Sequence, residues 1–168
     1  IGEFADYRAG QLADGRFDLI RGTAAFAGPN EVEVTPLEGG SPFRIGFRTG
    51  LVATGSVVFR LPVPGLEEAG YWTSDDILDA EALPDRVVVL GGGAIALEMA
   101  CYLEGLGKAV TVLQRGPQVL SGADPEVAGA LEEALRQRSR FVLHTGTKLL
   151  RVERDAATGE KVVVYGQQ

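Results

Sequence analysis

The 168-residue chain is 45% hydrophobic and 23% charged, close to soluble folded domains and unlike disordered chains, which combine few apolar residues with high net charge. A formal net charge of −7 argues against binding along a nucleic-acid phosphate backbone. One cysteine and one histidine exclude an internal disulfide and a two-cysteine redox pair within the chain, and argue against a zinc site built mainly from Cys and His.

At ~150 residues per domain the length suggests one domain or two incomplete ones. The chain opens at Ile1 without Met, and Ile1-Gly2-Glu3-Phe4 reads either as a vector remnant or as the edge of an internal slice. No basic-then-apolar segment opens it. The uncharged stretch around the first glycine cluster, residues 87–97, falls far short of the ~20 apolar residues that cross a bilayer. The expectation is a cytoplasmic protein with no membrane partner.

In chain order, residues 17–26 read as a strand and Gly28-Pro29-Asn30 as a turn. Glu31-Val32-Glu33-Val34-Thr35 alternates polar and apolar, the pattern of a half-buried strand. A Gly39-Gly40-Ser41-Pro42 turn leads to a third strand at residues 43–47, completing an antiparallel meander, and residues 50–53 return as a more buried strand. Pro62-Val63-Pro64-Gly65 is a stiff connector. Thr73, Ser74, Asp75 and Asp76 supply N-cap candidates for a short helix carrying Ile77 and Leu78.

Composition changes near Pro84. Residues 86–90 form a β-branched run without alternation, the mark of a parallel strand covered on both faces. After the glycines, Ile95, Met99, Leu103 and Leu106 recur at helical spacing, and Gly105 and Gly107 end that helix. Residues 110–113 are a second buried strand. Asp124-Pro125 starts another helix, with Val127, Leu131 and Leu135 inward and a Glu132–Arg136 pair outward. Residues 141–143 are a third strand. Residues 148–154 and 161–165 make a hairpin about a turn at residues 156–159.

The segment that carries chemistry is Val89-Leu90-Gly91-Gly92-Gly93-Ala94-Ile95-Ala96, a buried strand running through G-x-G-x-x-A into a helix and then a second strand. Gly91 permits the tight turn, Gly93 lets a pyrophosphate approach the backbone, and Ala96 stays small so that helix and strands pack closely. The unpaired amides of the helix start would then face a diphosphate. Cofactor preference is read about 20 residues after the first glycine, where a carboxylate would hold a ribose 2′-hydroxyl and repel a 2′-phosphate. Here stand Gln114 and Arg115. The guanidinium favours NADP over NAD, and a solvated surface cation is the rival reading of Arg115. His144 ends a strand with no acid or nucleophile near it in sequence, which argues against a general base. Cys101 reads as a small buried apolar group and Trp72 as a packing residue.

From about Tyr7 to Tyr165 the chain resembles the flavoprotein pyridine nucleotide–disulfide oxidoreductases. The resemblance rests on Leu51-Val52-Ala53-Thr54-Gly55-Ser56, Pro62-Val63-Pro64-Gly65-Leu66, Tyr71-Trp72-Thr73-Ser74, Gly91 through Glu98, and Leu106-Gly107-Lys108-Ala109-Val110-Thr111. The Tyr-Trp-Thr-Ser run and the missing acid look most like the mercuric reductase branch, with dihydrolipoamide dehydrogenase-like relatives fitting nearly as well.

The resemblance implies an α/β architecture. Residues 1–65 would be a partial FAD-domain segment, 66–84 a connector, and 85–168 a Rossmann-like NAD(P)-binding βαβ domain cut short. It places Ala53, Thr54 and Gly55 along a flavin half-site, puts Glu98 near a nicotinamide–flavin contact, and sets Ala94 where many relatives have a gating aromatic. The family's first glycine fingerprint, its cysteine pair, its later Gly-Asp motif and its dimerisation domain have no counterpart in these residues. The expectation is therefore the NAD(P)H-binding portion of a flavin-dependent disulfide or mercuric reductase, inactive alone and with FAD retention in doubt. The alternative is a non-catalytic interaction protein that forms homo-oligomers through open sheet edges. A self-sufficient dehydrogenase is a weak third reading, because no acid–base pair accompanies the glycines.

Overall fold

Two strand systems of different kind, antiparallel before residue 56 and mostly parallel after it, appear in a computed structural model that describes residues 2–167. Ile1, part of the N-terminal tetrapeptide singled out above, lies outside the described residues. The chain divides into two units, residues 1–56 and 57–168.

The first unit opens with helix α1 (Gly2–Leu12), which the sequence reading did not anticipate. Strands β1 (Gly22–Gly28), β2 (Glu31–Pro36) and β3 (Phe43–Gly46) form the expected three-stranded antiparallel meander. Val34 is buried, and on the solvent side Arg44 pairs across the strands with Glu31 at 3.0 Å and Glu33 at 3.4 Å. The strand expected from residue 17 begins only at Gly22. Its partner β2 ends at Pro36, so ladder pairing stops at Gly22↔Pro36, with one further bond from Leu37 N–H to Arg21 C=O. The return strand expected at residues 50–53 is not formed. Leu51 and Val52 are 92% and 66% exposed, and a β-branched run makes a strand only where another strand bonds it.

The second unit holds the βαβ core. Short helices α2 (Leu66–Ala69) and α3 (Ser74–Asp79) precede β4 (Arg86–Leu90), α4 (Ala94–Gly105), β5 (Ala109–Leu113), α5 (Pro125–Arg136) and β6 (Phe141–His144). The three strands are parallel in the order β4-β5-β6. Strands β7 (Thr147–Arg154) and β8 (Lys161–Gln167) form the expected hairpin, its turn closed by Asp155, whose Oδ1 accepts from the amides of Ala157 and Thr158. The fold is α/β, with an antiparallel sheet and a parallel Rossmann-like sheet.

The main core lies between the parallel sheet and helices α4 and α5: Leu97, Ala100, Leu103, Val110, Val112, Val119, Leu135, Phe141 and Leu143. A smaller cluster of Leu66, Ala69 and Val152 sits with Leu90 and Val163 beneath the hairpin. The connector joins it, Pro64 C=O accepting from Val152 N–H at 2.8 Å.

Five packing expectations need correction. Strand β4 is not covered on both faces: Val88 and Val142 flank Thr111 in one cross-strand row and are 42% and 48% exposed. In α4 the sheet side is Leu97, Ala100 and Leu103, while Ile95 and Leu106 are exposed. That helix is apolar around most of its circumference, so periodicity alone does not choose a face. In α5 the buried positions are Ala128 and Leu135, with Val127 exposed; a small alanine allows the closer approach. Trp72 is 47% exposed rather than packed, and Cys101 is only partly buried against the main core.

Candidate functional site

The glycine run lies where β4 turns into α4. Gly91 adopts φ +114, a region that L side chains rarely enter, and its N–H donates to Leu113 C=O at 2.9 Å, which prolongs the β4–β5 ladder by one residue. Gly93 is the N-cap of α4, extended at φ −78 and ψ 174, and offers no side chain to the helix. The first intrahelical bond runs from Leu97 N–H to Gly93 C=O at 3.0 Å. The amides of Gly93, Ala94, Ile95 and Ala96 therefore precede it, and no other group among the described residues accepts from them. A Cβ placed on Gly93 would meet nothing within 4 Å. Gly93, Ala94 and Ile95 are exposed, and Ala96 is half-buried. An open, uncapped end of a twelve-residue helix presents donors and the positive end of its dipole to solvent. It fits a diphosphate.

Gly92 has a different task. It is buried, and a Cβ there would stand 3.1 and 3.2 Å from Gln114 Cβ and Cγ and 3.2 Å from Val119 Cγ1. Its N–H donates to Gln114 Oε1 at 2.9 Å and its C=O accepts from Leu120 N–H at 2.8 Å. Gly92 thus contributes no free donor to a ligand. Gln114, expected beside the ribose, turns inward instead: its Nε2 donates to Gln118 C=O at 3.0 Å. Arg115 is exposed and makes no ion pair among the described residues. Glu98 is exposed on the second turn of α4.

The structure brings Gly91, Gly92, Gly93, Ala94, Ile95, Ala96 and Gln114 together at one strand-to-helix turn, with Arg115 next along the chain. Ala53, Thr54 and Gly55 belong to the other unit of the chain. Those three are exposed and lie outside any helix or strand. His144 ends β6 with its ring 5.6 Å from that of Tyr165, in an aromatic contact without a carboxylate.

Sequence reading missed Glu132 and Thr147. Glu132 Oε1 accepts from Val119 N–H at 2.9 Å while Oε2 accepts from Arg136 at 2.7 Å, so the expected outward pair also holds the 115–123 loop. Thr147, 1% exposed, donates through both N–H and Oγ1 to Gln114 C=O. A threonine three residues past a strand end carries no local signal of such a role. Among the described residues no group of three or more His, Cys, Asp or Glu is placed to hold a metal, and no helix is long and apolar enough to cross a membrane.

Residues 7–167 match the family described as pyridine nucleotide-disulphide oxidoreductase. The chain belongs to that family. The resemblance read from the motifs is thereby borne out over nearly the range it covered. Among curated relatives, the chain is 35% identical over 165 residues to a mercuric reductase from Bacillus cereus, covering 94% of this chain and 25% of that protein. It is 38% identical over 143 residues to a glutathione reductase from Burkholderia cepacia, covering 85% and 30%. The fold matches the HOCl-induced flavoprotein disulfide reductase RclA from Escherichia coli at TM-score 0.74 and 22% identity, covering 96% of this chain and 38% of that one. The chain therefore spans about a quarter to a third of the length of these curated relatives. The family binds FAD and uses a nicotinamide nucleotide.

Proposed function

We propose that the chain supplies the nicotinamide-nucleotide cradle of a flavin-dependent disulfide or mercuric reductase, with NADP preferred over NAD. The observation that carries this reading is the bare start of α4, where the Gly93, Ala94, Ile95 and Ala96 amides face open space in front of a side-chain-free N-cap. Gly91 makes the turn and Ala96 keeps helix and strand close. Arg115 is the donor for a 2′-phosphate. Bound nucleotide supplies a hydride at its nicotinamide. This chain's residues bind and orient the diphosphate and ribose, and Glu98 lies one turn further along α4 on the nicotinamide side. With one cysteine in the sequence, no pair is available here to relay electrons onward, so the activity we assign to these residues is binding and not turnover.

Parallel titrations of NADPH and NADH, followed by nucleotide fluorescence, test the proposal. Saturable binding of both is expected, tighter for NADPH. Arg115→Ala should cost NADPH about tenfold, the worth of one charge-assisted contact of about 1.4 kcal/mol, and leave NADH unchanged. If neither nucleotide binds, the reading is wrong.

A second reading, self-association, is favoured by one observation: β8 pairs only with β7, so its outer edge has no strand beside it among the described residues, and Val162 and Tyr165 on it are exposed. Light scattering should then give a mass above that of one chain, increasing with concentration. A single-chain mass at high concentration would remove this reading without touching the first.

A further inference from the structure

We propose that Gln114 is a positioning residue: not a ligand of the ribose, but the clamp that holds the backbone from which Arg115 reaches the nucleotide. This rests on the nucleotide reading above and deepens it.

Each polar atom of Gln114 already has a partner within the protein. Its N–H donates to His144 C=O at 2.8 Å, and its C=O accepts from Thr147 N–H at 3.1 Å and Thr147 Oγ1 at 3.0 Å. Its side chain lies in a slot between two glycines. A Cβ on Gly92 would crowd its Cβ and Cγ, and a Cβ on Gly116 would stand 3.0 Å from its Nε2. Within that slot Oε1 accepts from Gly92 N–H and Nε2 donates to Gln118 C=O. The two partners fix the amide's orientation, since a backbone N–H needs an oxygen and a carbonyl needs the NH2. A carboxylate of the same length could accept from Gly92 but would face the Gln118 oxygen with another acceptor. The neutral amide is the side chain this slot takes.

The loop that follows is tied down residue by residue. Gly116 C=O accepts from Gly146 N–H at 2.8 Å, Gln118 Nε2 donates to Ala123 C=O at 3.3 Å, Val119 N–H donates to Glu132, and Leu120 N–H donates to Gly92 C=O. Leu120 holds φ +47, an uncommon conformation for a leucine that these bonds sustain. Arg115 thus stands between two anchored residues with its own side chain uncommitted. Losing the Gln114 amide removes the ties to Gly92 N–H and Gln118 C=O while the backbone bonds stay, and so loosens the loop that carries the arm that would meet a 2′-phosphate.

The experiment is a double-mutant cycle on the full chain, using the neutral substitution Gln114→Met so that no charge is introduced, alone and combined with Arg115→Ala. Affinities for NADPH and NADH are both measured. Gln114→Met should lower the NADPH:NADH preference about fivefold, within the range of coupling energies between neighbouring residues, and should have no effect on that ratio in the Arg115→Ala background. Gly116→Ala crowds the same amide from the other side and should shift the ratio in the same direction, so the test survives if Gln114→Met does not fold. Equal loss for both nucleotides would mean a merely structural role and overturn the proposal. A ratio shift that persists without Arg115 would make Gln114 a direct ligand and overturn it as well. Each of those results leaves the nucleotide reading standing, whereas wild-type chain that binds neither nucleotide defeats both.

Discussion

Helices α3 and α5 begin with their amides closed by side chains, and α4 begins with them open. At α3, Thr73 and Asp76 form a reciprocal capping box, Asp76 Oδ2 accepting from Thr73 N–H at 2.6 Å and from Thr73 Oγ1 at 2.7 Å. At α5, Asp124 Oδ1 accepts from Glu126 N–H at 2.9 Å, and Pro125 stands at the first helical position, where a missing N–H costs nothing. At α4 the cap is Gly93 and no side chain returns to the helix. Each cap stabilises its helix by about 1 kcal/mol relative to alanine and by a few tenths relative to glycine. A helix in the centre of the core that forgoes this contribution leaves its donors to something outside the protein. The contrast separates a helix start that only supports the fold from one that can also take a ligand.

The sharpest way to break that contrast is to make α4 resemble α5. Gly93 has extended backbone angles and open space at its Cβ position, so Gly93→Asp should fold and cap the helix. Stability should rise by a few tenths of a kcal/mol, seen as a higher urea midpoint. Nucleotide affinity should fall about a hundredfold, because a carboxylate would occupy the amides and repel the diphosphate, at about 1.5–3 kcal/mol per charged contact. Retained affinity in this variant would mean the diphosphate is bound elsewhere. Gly92→Ala comes next. Its Cβ would press on Gln114 and on Val119, which is 0% exposed and has no room to yield. A loss of about 1–3 kcal/mol in unfolding free energy is expected, and an unchanged midpoint would refute the tight slot. The converse control is Asp124→Ala, which removes the cap of α5. It should cost about 1 kcal/mol and leave nucleotide affinity as it was.

How much of this was legible beforehand follows from which signals are local. Asp124-Pro125 and Thr73 with Asp76 announce their helix starts because a cap is a contact across two or three residues. The strand–glycine–helix–strand run was readable for the same reason, as was the 147–167 hairpin. What failed depended on distant partners. Residues 50–53 have strand composition but no strand beside them, and residues 17–21 lose theirs where β2 ends. The inward face of α4 was misread because alanines and a cysteine surround it with apolar surface, leaving the sheet to choose. Gln114 was placed on the ribose by its distance from Gly91. Its true contacts, with Gly92 and Gln118, arise only once β4 and β5 lie side by side and Gly116 leaves room. Gly92, the middle glycine, was expected to bind the cofactor with the rest of the run, yet it is the one that the packing constrains most.

Acid gives the smallest and most selective probe of the same contrast. Asp76 has its carboxyl held below the usual carboxylate range, first by the Thr73 backbone N–H and then by the Thr73 hydroxyl. Asp155 is lowered in the same way, chiefly by the Thr158 backbone N–H, then by the Thr158 hydroxyl and the Ala157 N–H. Each carboxylate therefore stabilises the folded chain above its ordinary pKa of 3.8. That contribution is lost as the pH falls through the lower folded value, because the unfolded chain takes up the proton first. Both groups are solvent-exposed, so the effect on global stability is small and is better read locally. The amide resonances of Thr73, Asp76 and Thr158, followed from neutral pH to about pH 2, should titrate with midpoints under 3.8 as their hydrogen bonds open. The amides of Gly93 and Ala94 have no carboxylate acceptor among the described residues, so they should not move over that range until the whole domain unfolds. Titration of Gly93 or Ala94 in step with Asp76 would mean that a carboxylate of this chain closes α4 in solution after all. The start of that helix would then be no different from its neighbours.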